Sequence, residues 1–270
     1  MSKNRNAVLI AGFARDYEKY IDNFKENIIT SDNVDVFGCF WNYVGTRSFE
    51  KHESITKTTG QKLTICNDKK EVKLLDLQKI KKDYNAKDIK IHDLDFVTSV
   101  IKPQSEIIEI SDLVPKGLKF EYHITRLSLT FFMLREVFLL MEQYEKKNNI
   151  VYKNIAKART DLVRDCVYPK IDWSKDFGDA IYVANHPWSG TGMFSINDHF
   201  GIGKREVMSN YFKFYDNMHI PAKKFKTNEY NSTDSIKNPT RTKAWSPEHS
   251  LSIYLYSLGI KWKPIRKLKK

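Results

Sequence analysis

Two kinds of hydrophobic pattern take turns along this chain. NAVLIAGFAR opens as a compact apolar run that breaks at Gly12. DYEKYIDNFKENII follows with Tyr17, Tyr20, Ile21, Phe24, Ile28 and Ile29 at helical spacing. VDVFGCFW, residues 34–41, is again continuous, the pattern of a strand buried on both faces. Strand, helix, strand opens a βαβ unit with a right-handed crossover.

Residues 46–70 are polar and irregular, and the Lys-rich stretch 70–83 is predicted as a helix. AKDIKIHD then alternates like a strand, and 94–118, with Pro103 and Pro115, reads as a long loop. EYHITRLSLTFFMLREVFLLMEQYEKKNN is the strongest helix. Its apolar positions cover more than one face, which predicts a central, largely buried element. It leads directly into the strand of YKNIAKARTD. DAIYVA is predicted as another strand and KREVMSNYFKFYDNM as a helix. SPEHSLSIYLYSLG is a further helix, with Ser246 as N-cap, Pro247 in the first turn and Gly259 at the end. No internal repeat is visible. The expected fold is α/β: a mostly parallel central sheet with helices on both faces, in one Rossmann-like domain over 1–262 followed by a basic C-terminal tail, 263–270.

Composition narrows this picture. A chain of 270 residues, 41% hydrophobic and 29% charged, buries a sizeable core and is not a disordered polymer. Lys and Arg exceed Asp and Glu by 45 to 33, a net +12, which favours anionic partners such as nucleotides, nucleic acid or an acidic membrane surface. Cys39, Cys66 and Cys166 are odd in number and lack metal-ligand spacing. They argue against a disulfide framework and fit a reducing, cytoplasmic setting. The apolar run from Ala7 to Ala14 is too short to span a bilayer.

Candidate chemistry gathers at the predicted strand ends. Arg159 and Asp161 are two residues apart, so both side chains point the same way from a strand. In open α/β sheets ligands bind beyond the carboxyl ends of the strands. A carboxylate there can hold Mg²⁺ or Mn²⁺ against phosphate oxygens, and a guanidinium can contact the same phosphates bidentately. An ion pair finishing the strand is the plainer alternative, and spacing alone favours it. After the first strand, Gly12 permits close approach of backbone to a ligand. Arg15 and the start of the next helix add positive charge there. Neither a Walker loop nor GxGxxG is present, and GIGKRE lacks the third glycine. NHPWSGTGM offers Trp188, and SINDHFGIG offers Asn197, Asp198 and His199. Such segments can present an aspartate to a sugar hydroxyl, although Asp198 could equally cap a turn. Glu248 and His249 in WSPEHS carry the same ambiguity.

In order, VLIAGFAR, VDVFGCFW, the long aromatic helix, IAKARTDLV, NDHFGIGKREVMSNYF and PEHSLSIYLYSLGIKW resemble the landmarks of a glycosyltransferase group of GT-A type. Its members serve bacterial capsule and lipopolysaccharide synthesis and occur in large DNA viruses. The resemblance covers roughly residues 7–45 and 120–262. It implies a nucleotide-sugar donor, a glycan or lipid-linked acceptor, and Mn²⁺ or Mg²⁺ as cofactor. ARTD stands where that group carries Asp-x-Asp, so Asp161 matches the last aspartate, as metal ligand, and Arg159 replaces the first. The resemblance further implies donor binding by Gly12, Arg15, Arg126, Arg159 and Asp161. It places Asp198 at the acceptor as catalytic base or orienting group, and beside it our own reading of these segments takes Trp188, His199 and Glu248 as acceptor-binding residues. Two alternatives stand beside it: an inactive scaffold, because of the altered Asp-x-Asp, and a basic nucleic-acid-binding module. The second lacks any recognised motif, so nucleic acid is not an expected partner. Finally, KWKPIRKLKK, residues 261–270, carries six basic residues, which leads us to expect peripheral contact with an anionic membrane. A solvated, frayed terminus is the plainer expectation.

Overall fold

Seven strands form one sheet: β1 (Arg5–Gly12), β2 (Val34–Trp41), β3 (Asp88–His92), β4 (Tyr152–Ala158), β5 (Ala180–Ala184), β6 (Phe200–Lys204) and β7 (Lys261–Ile265). Their spatial order is β3-β2-β1-β4-β6-β5-β7. The first four pair in parallel, as do β5 and β7, while β6 runs against both of its neighbours. Among the described residues six α-helices accompany them: α1 (Ile21–Ile28), α2 (Leu77–Asp83), α3 (Leu94–Val100), α4 (Phe120–Asn148), α5 (Arg205–Phe212) and α6 (Pro247–Ser257). This computed structural model describes residues 5–44, 74–101, 120–160, 168–184, 196, 199–221 and 247–265, without the side chains of 120–126 and 247–249.

The continuous apolar runs of β1 and β2 have a simple cause, since both faces of these strands are covered. Ala7 and Leu9, with Phe37, Cys39 and Trp41, join a core built with α3, α4, α5 and α6. Val8 and Ile10, with Val34, Val36 and Phe40, join the opposite core, covered by α1, α2 and the aromatic loop Tyr168, Ile171, Trp173 and Phe177. The mostly parallel α/β sheet expected from the sequence is therefore present. Among the described residues, β4 to β7 are covered on that second face by the loop carrying Tyr168, Ile171, Trp173 and Phe177.

The long helix α4 runs opposite to the parallel strands. Its Phe132 stacks on Trp41 at the carboxyl end of β2, 6.5 Å between ring centroids, whereas Tyr144 meets Phe37 lower on that strand at 5.2 Å. The first turns of α4, including Arg126, thus lie toward the carboxyl ends. At the amino end a charged knot fixes the register. Asp35 is 2% exposed and accepts from Arg5 Nε at 2.8 Å, Arg5 Nη2 at 2.7 Å and the Tyr152 hydroxyl at 2.8 Å. Nearby, Arg205 at the start of α5 clamps Glu145 of α4 through Nη2 at 2.7 Å. Glu145 in turn accepts from Tyr152 N at 2.9 Å, so one carboxylate ties α4, β4 and α5 together.

Part of the loop expected over 94–118 is helical. Asp93 caps α3 by accepting from Phe96 N at 2.8 Å, and Leu94 and Val97 are buried. Its other apolar positions, Phe96 and Val100, face outward, which removes the amphipathic signal. Residues 102–118 lie outside the described residues. Two strands also went unexpected. β6 is FGIGK, with two glycines in five residues, and β7 is KWKPI, so the sheet continues through Ile265. No helix among the described residues is long and apolar enough to cross a membrane.

Candidate active site at the strand carboxyl ends

The sheet changes direction at β1. From β1 the chain moves outward through β2 to β3, then returns to pair β4 on the other side of β1. The chain leaving β1 and the loop that follows β4 both pack on the α1 face, where Ile171 N donates to Asn27 O at 2.8 Å, and the crevice at these strand carboxyl ends is where open α/β sheets bind ligands.

On the β1 side, Gly12 has φ +111° and Arg15 has φ +48°. A Cβ at Gly12 would meet nothing within 4 Å, so the demand for glycine there is conformational and not steric. Arg15 adopts the left-handed region without that freedom, a conformation that costs of order 1–3 kcal/mol and survives only where the surroundings enforce it. They do so here. Arg15 N donates to Val44 O at 2.5 Å, and Tyr17 N donates to Ala14 O at 3.1 Å. The Arg15 guanidinium lies 5.9 Å from the centroid of the Phe13 ring, which itself packs 6.3 Å from Trp41.

The turn is anchored further by Tyr17. Its ring packs on Tyr84, and its hydroxyl donates to Asp83 Oδ2 at 2.8 Å. Lys79 bridges Asp83 at 2.8 Å and Glu18 at 2.8 Å and reaches the Tyr17 hydroxyl at 3.3 Å. Burial, then the Asp83 hydrogen bond, pushes the Tyr17 hydroxyl up to about 12. The Lys79 ammonium holds the Asp83 carboxyl below its usual range, and the two carboxylates raise Lys79 in return. Arg15, Tyr17, Glu18, Leu75, Asp76 and Lys79 line a hollow of about 210 Å³ beside this turn.

On the β4 side, Thr160 is buried, and its Oγ1 donates to Phe13 O at 2.7 Å. That bond ties the β4 end to the β1 turn across the crevice. The Tyr168 hydroxyl donates to the Arg159 carbonyl, while Tyr168 N donates to Asn23 Oδ1 at 3.1 Å and its ring meets Phe24 edge-on at 5.4 Å. The backbone carrying Arg159 is thus held from the α1 face. Below it, Lys157 is only 3% exposed, in register with Leu9 on one side and Gly201 on the other. An ammonium buried in a central strand is costly unless its charge is met.

Because β6 is reversed, its beginning and not its end reaches this end of the sheet. Phe200 pairs with Ala158, so His199 arrives level with Arg159. The structure therefore brings Gly12, Arg15, Arg159 and His199 to one end. Arg126 and Glu248 fall in α4 and α6, with side chains outside the described residues, and Asp161, Trp188 and Asp198 lie outside them altogether. Among the described residues no group of three or more His, Cys, Asp or Glu could hold a metal ion. Sequence reasoning missed Thr160, Tyr168, Lys157 and the Tyr17–Lys79–Asp83 brace. Lys157 alone left a signal, a lysine set between Ala156 and Ala158 in a stretch that otherwise turns apolar at Ile155. The others act across long sequence separations that no local pattern records.

No family model matches this chain, and no curated protein matches it. Among solved structures, the apo form of mouse xyloside xylosyltransferase 1 matches at a TM-score of 0.43 and 9% identity, over 97% of this chain and 84% of that one.

Proposed function

We propose that this protein is a glycosyltransferase that moves a sugar from a nucleotide-sugar donor to a glycan or lipid-linked acceptor. The observation that supports the reading is the Thr160–Phe13 hydrogen bond, which joins the β1 and β4 ends, with the backbones of Arg15 and Arg159 at that same end of the sheet. The ordered motifs that resemble a glycosyltransferase group fall on these same elements. Two arginines flanking a crevice suit a diphosphate, because guanidinium donors are planar, always charged and able to bind phosphate bidentately. The hollow beside Arg15 is smaller than the roughly 300–1,000 Å³ of sites enclosing a whole drug-sized ligand. It suits one part of a nucleotide, with the rest lying across the sheet end.

In this reading the bond from the donor sugar's anomeric carbon to the diphosphate oxygen breaks with its electrons leaving on the diphosphate, and the acceptor hydroxyl oxygen forms the new bond. Arg15, Arg159 and Arg126 offset the departing charge, the term that generally contributes most in such chemistry. Asp161 would hold Mn²⁺ or Mg²⁺ together with the donor's own phosphate oxygens, and that ion would supply further charge neutralisation. In an inverting transfer Asp198 takes the hydroxyl proton; in a retaining one it orients the acceptor, and the proton passes to the departing diphosphate oxygen. Trp188, His199 and Glu248 belong to the acceptor side.

Thermal-shift screening of sugar nucleotides with and without Mn²⁺ tests this, since a ligand specific for the folded state raises its melting temperature. We expect one nucleotide class to raise it, more so with Mn²⁺. We also expect Asp161→Asn to melt normally but lose the Mn²⁺-dependent part. No shift with any sugar nucleotide would refute the reading.

A further inference from the structure

We propose that Tyr168 is a positioning residue for the donor site: its hydroxyl fixes the strand-end backbone from which Arg159 meets the diphosphate. The donor half of this inference rests on the glycosyltransferase reading of Arg159; the hold on the strand end does not. β4 keeps its ladder as far as Ala158, which pairs with Ile10 of β1 and with Phe200 of β6. At the next two residues side-chain hydroxyls take over. The Tyr168 hydroxyl donates to the Arg159 carbonyl, and Thr160 Oγ1 donates to Phe13 O at 2.7 Å. One bond leads to the α1 face, the other to the turn that carries Arg15.

A tyrosine can hold a strand end only if it is itself held, and Tyr168 is. Its ring is buried edge-on against Phe24 at 5.4 Å, and its N donates to Asn23 Oδ1 at 3.1 Å. The loop that follows is stitched to the end of α1 by further bonds. Ile171 N donates to Asn27 O, Thr30 Oγ1 to Ile171 O and Trp173 Nε1 to Ile28 O, each at 2.8 Å. Burying an aromatic ring there would be served as well by phenylalanine. What the hydroxyl adds is a donor for Arg159, nine residues back along the chain, so the rigidity of the α1-bound loop is passed to the strand end. That matters for a long side chain that must meet phosphate oxygens in register. A misplacement of about 1 Å in a positioned site can cost of order a hundredfold. Thr160 keeps its own bond when the Tyr168 hydroxyl is removed, so the loss expected from Tyr168 is smaller, that of one neutral hydrogen bond.

Tyr168→Phe keeps the buried ring and removes only the donor, so it is the variant to test. Uridine, guanosine, adenosine, cytidine and thymidine diphosphates, each with Mn²⁺, are titrated calorimetrically into wild type, Tyr168→Phe, Arg159→Ala and the double variant. For the nucleotide that binds wild type, Tyr168→Phe should weaken affinity about three- to tenfold. With Arg159 already replaced, the same change should matter less than about twofold, because its effect passes through that residue. A tyrosine that served stability alone would cost the same in both backgrounds. An equal loss beside Arg159→Ala therefore overturns the proposal, as does unchanged affinity in Tyr168→Phe by itself. A second readout needs no ligand. Hydrogen exchange in Tyr168→Phe should quicken at 158–160 and stay as in wild type along the rest of β4. Unchanged exchange at 158–160 overturns the hold on the strand end, whatever binds. Binding of none of these diphosphates to wild type would overturn the diphosphate reading, and the donor role of Tyr168 with it, while the exchange result still decides the hold.

Discussion

The two halves of the sheet are built on different terms. In β3-β2-β1-β4 every strand points the same way and β1 and β2 are covered on both faces, so residues such as Leu9, Ile10, Phe37 and Phe40 are fully buried. In β6-β5-β7 the strands are only five residues each, one is reversed, glycine replaces side chains at two positions of β6, and the outer strand is half exposed. The difference separates two tasks. The parallel half sends its loops to one end and makes the crevice. In the mixed half β6 is reversed, which brings His199 to that end at the start of the strand and not after it. We expect stability to be concentrated in the first half and tolerance to change in the second.

Four perturbations can break or sharpen that contrast. The largest effect is expected at Asp35, whose buried carboxylate holds Arg5 and Tyr152 together. Asp35→Ala leaves a guanidinium and a hydroxyl without their acceptor, and denaturant unfolding should show a loss of about 3–5 kcal/mol. Next is Gly38→Ala in β2, where the new Cβ would stand 2.5 Å from Cε2 of Phe40, a ring that is itself fully buried. Repacking should cost about 1–3 kcal/mol by the same measurement.

The matching change in the mixed half is Gly201→Ala. There the nearest atom, Ile181 Cγ2, is 3.6 Å from the new Cβ, an ordinary contact. Reduced chain entropy in the unfolded state makes this substitution neutral or stabilising by up to about 1 kcal/mol. A loss comparable to that of Gly38→Ala would remove the contrast.

Acid should act on the halves in sequence, with the smallest effect. His92, at the end of β3, is held below its ordinary 6.5, chiefly by burial and then by Lys90, although Glu136 lies 3.2 Å away. A depressed histidine stays neutral in the fold while the unfolded chain takes up a proton. Its contribution therefore begins to fall as pH drops below 6.5 and stops falling below its folded value. In the mixed half the shifted acids are Asp172 and Asp176, held below 3.8 by hydrogen bonds to Ser174 and Gly178 respectively, and their contribution is lost only as pH falls below 3.8. Hydrogen exchange between these two values should loosen β3 and the middle of α4 before the 172–178 loop. The reverse order would contradict the assignment.

The same contrast decides what could be read from sequence. β1 and β2 were legible because burial on two sides leaves a nearly continuous apolar run, and α4 because its apolar positions recur on more than one face over about eight turns. β6 and β7 were not, because FGIGK has little strand propensity and KWKPI has the composition of a solvated tail; both are strands through pairing with β5 and β4. At the site, Gly12 and Arg15 stood out through a glycine and a charge closing an apolar run. Tyr168 and Thr160 did not, since their partners Arg159 and Phe13 become neighbours only when the sheet forms.

The central claim is that Arg15 and Arg159 hold one diphosphate across the crevice. Calorimetric titration of the nucleotide that raises the melting temperature, into wild type, Arg15→Ala, Arg159→Ala and the double variant, tests it most directly. Each single change should weaken binding by about 1.5–3 kcal/mol, the range for a hydrogen bond to a charged group. The double variant should lose less than the sum of the two, because groups sharing a ligand are coupled. Unchanged affinity in either single variant, with the fold intact by melting, would contradict it.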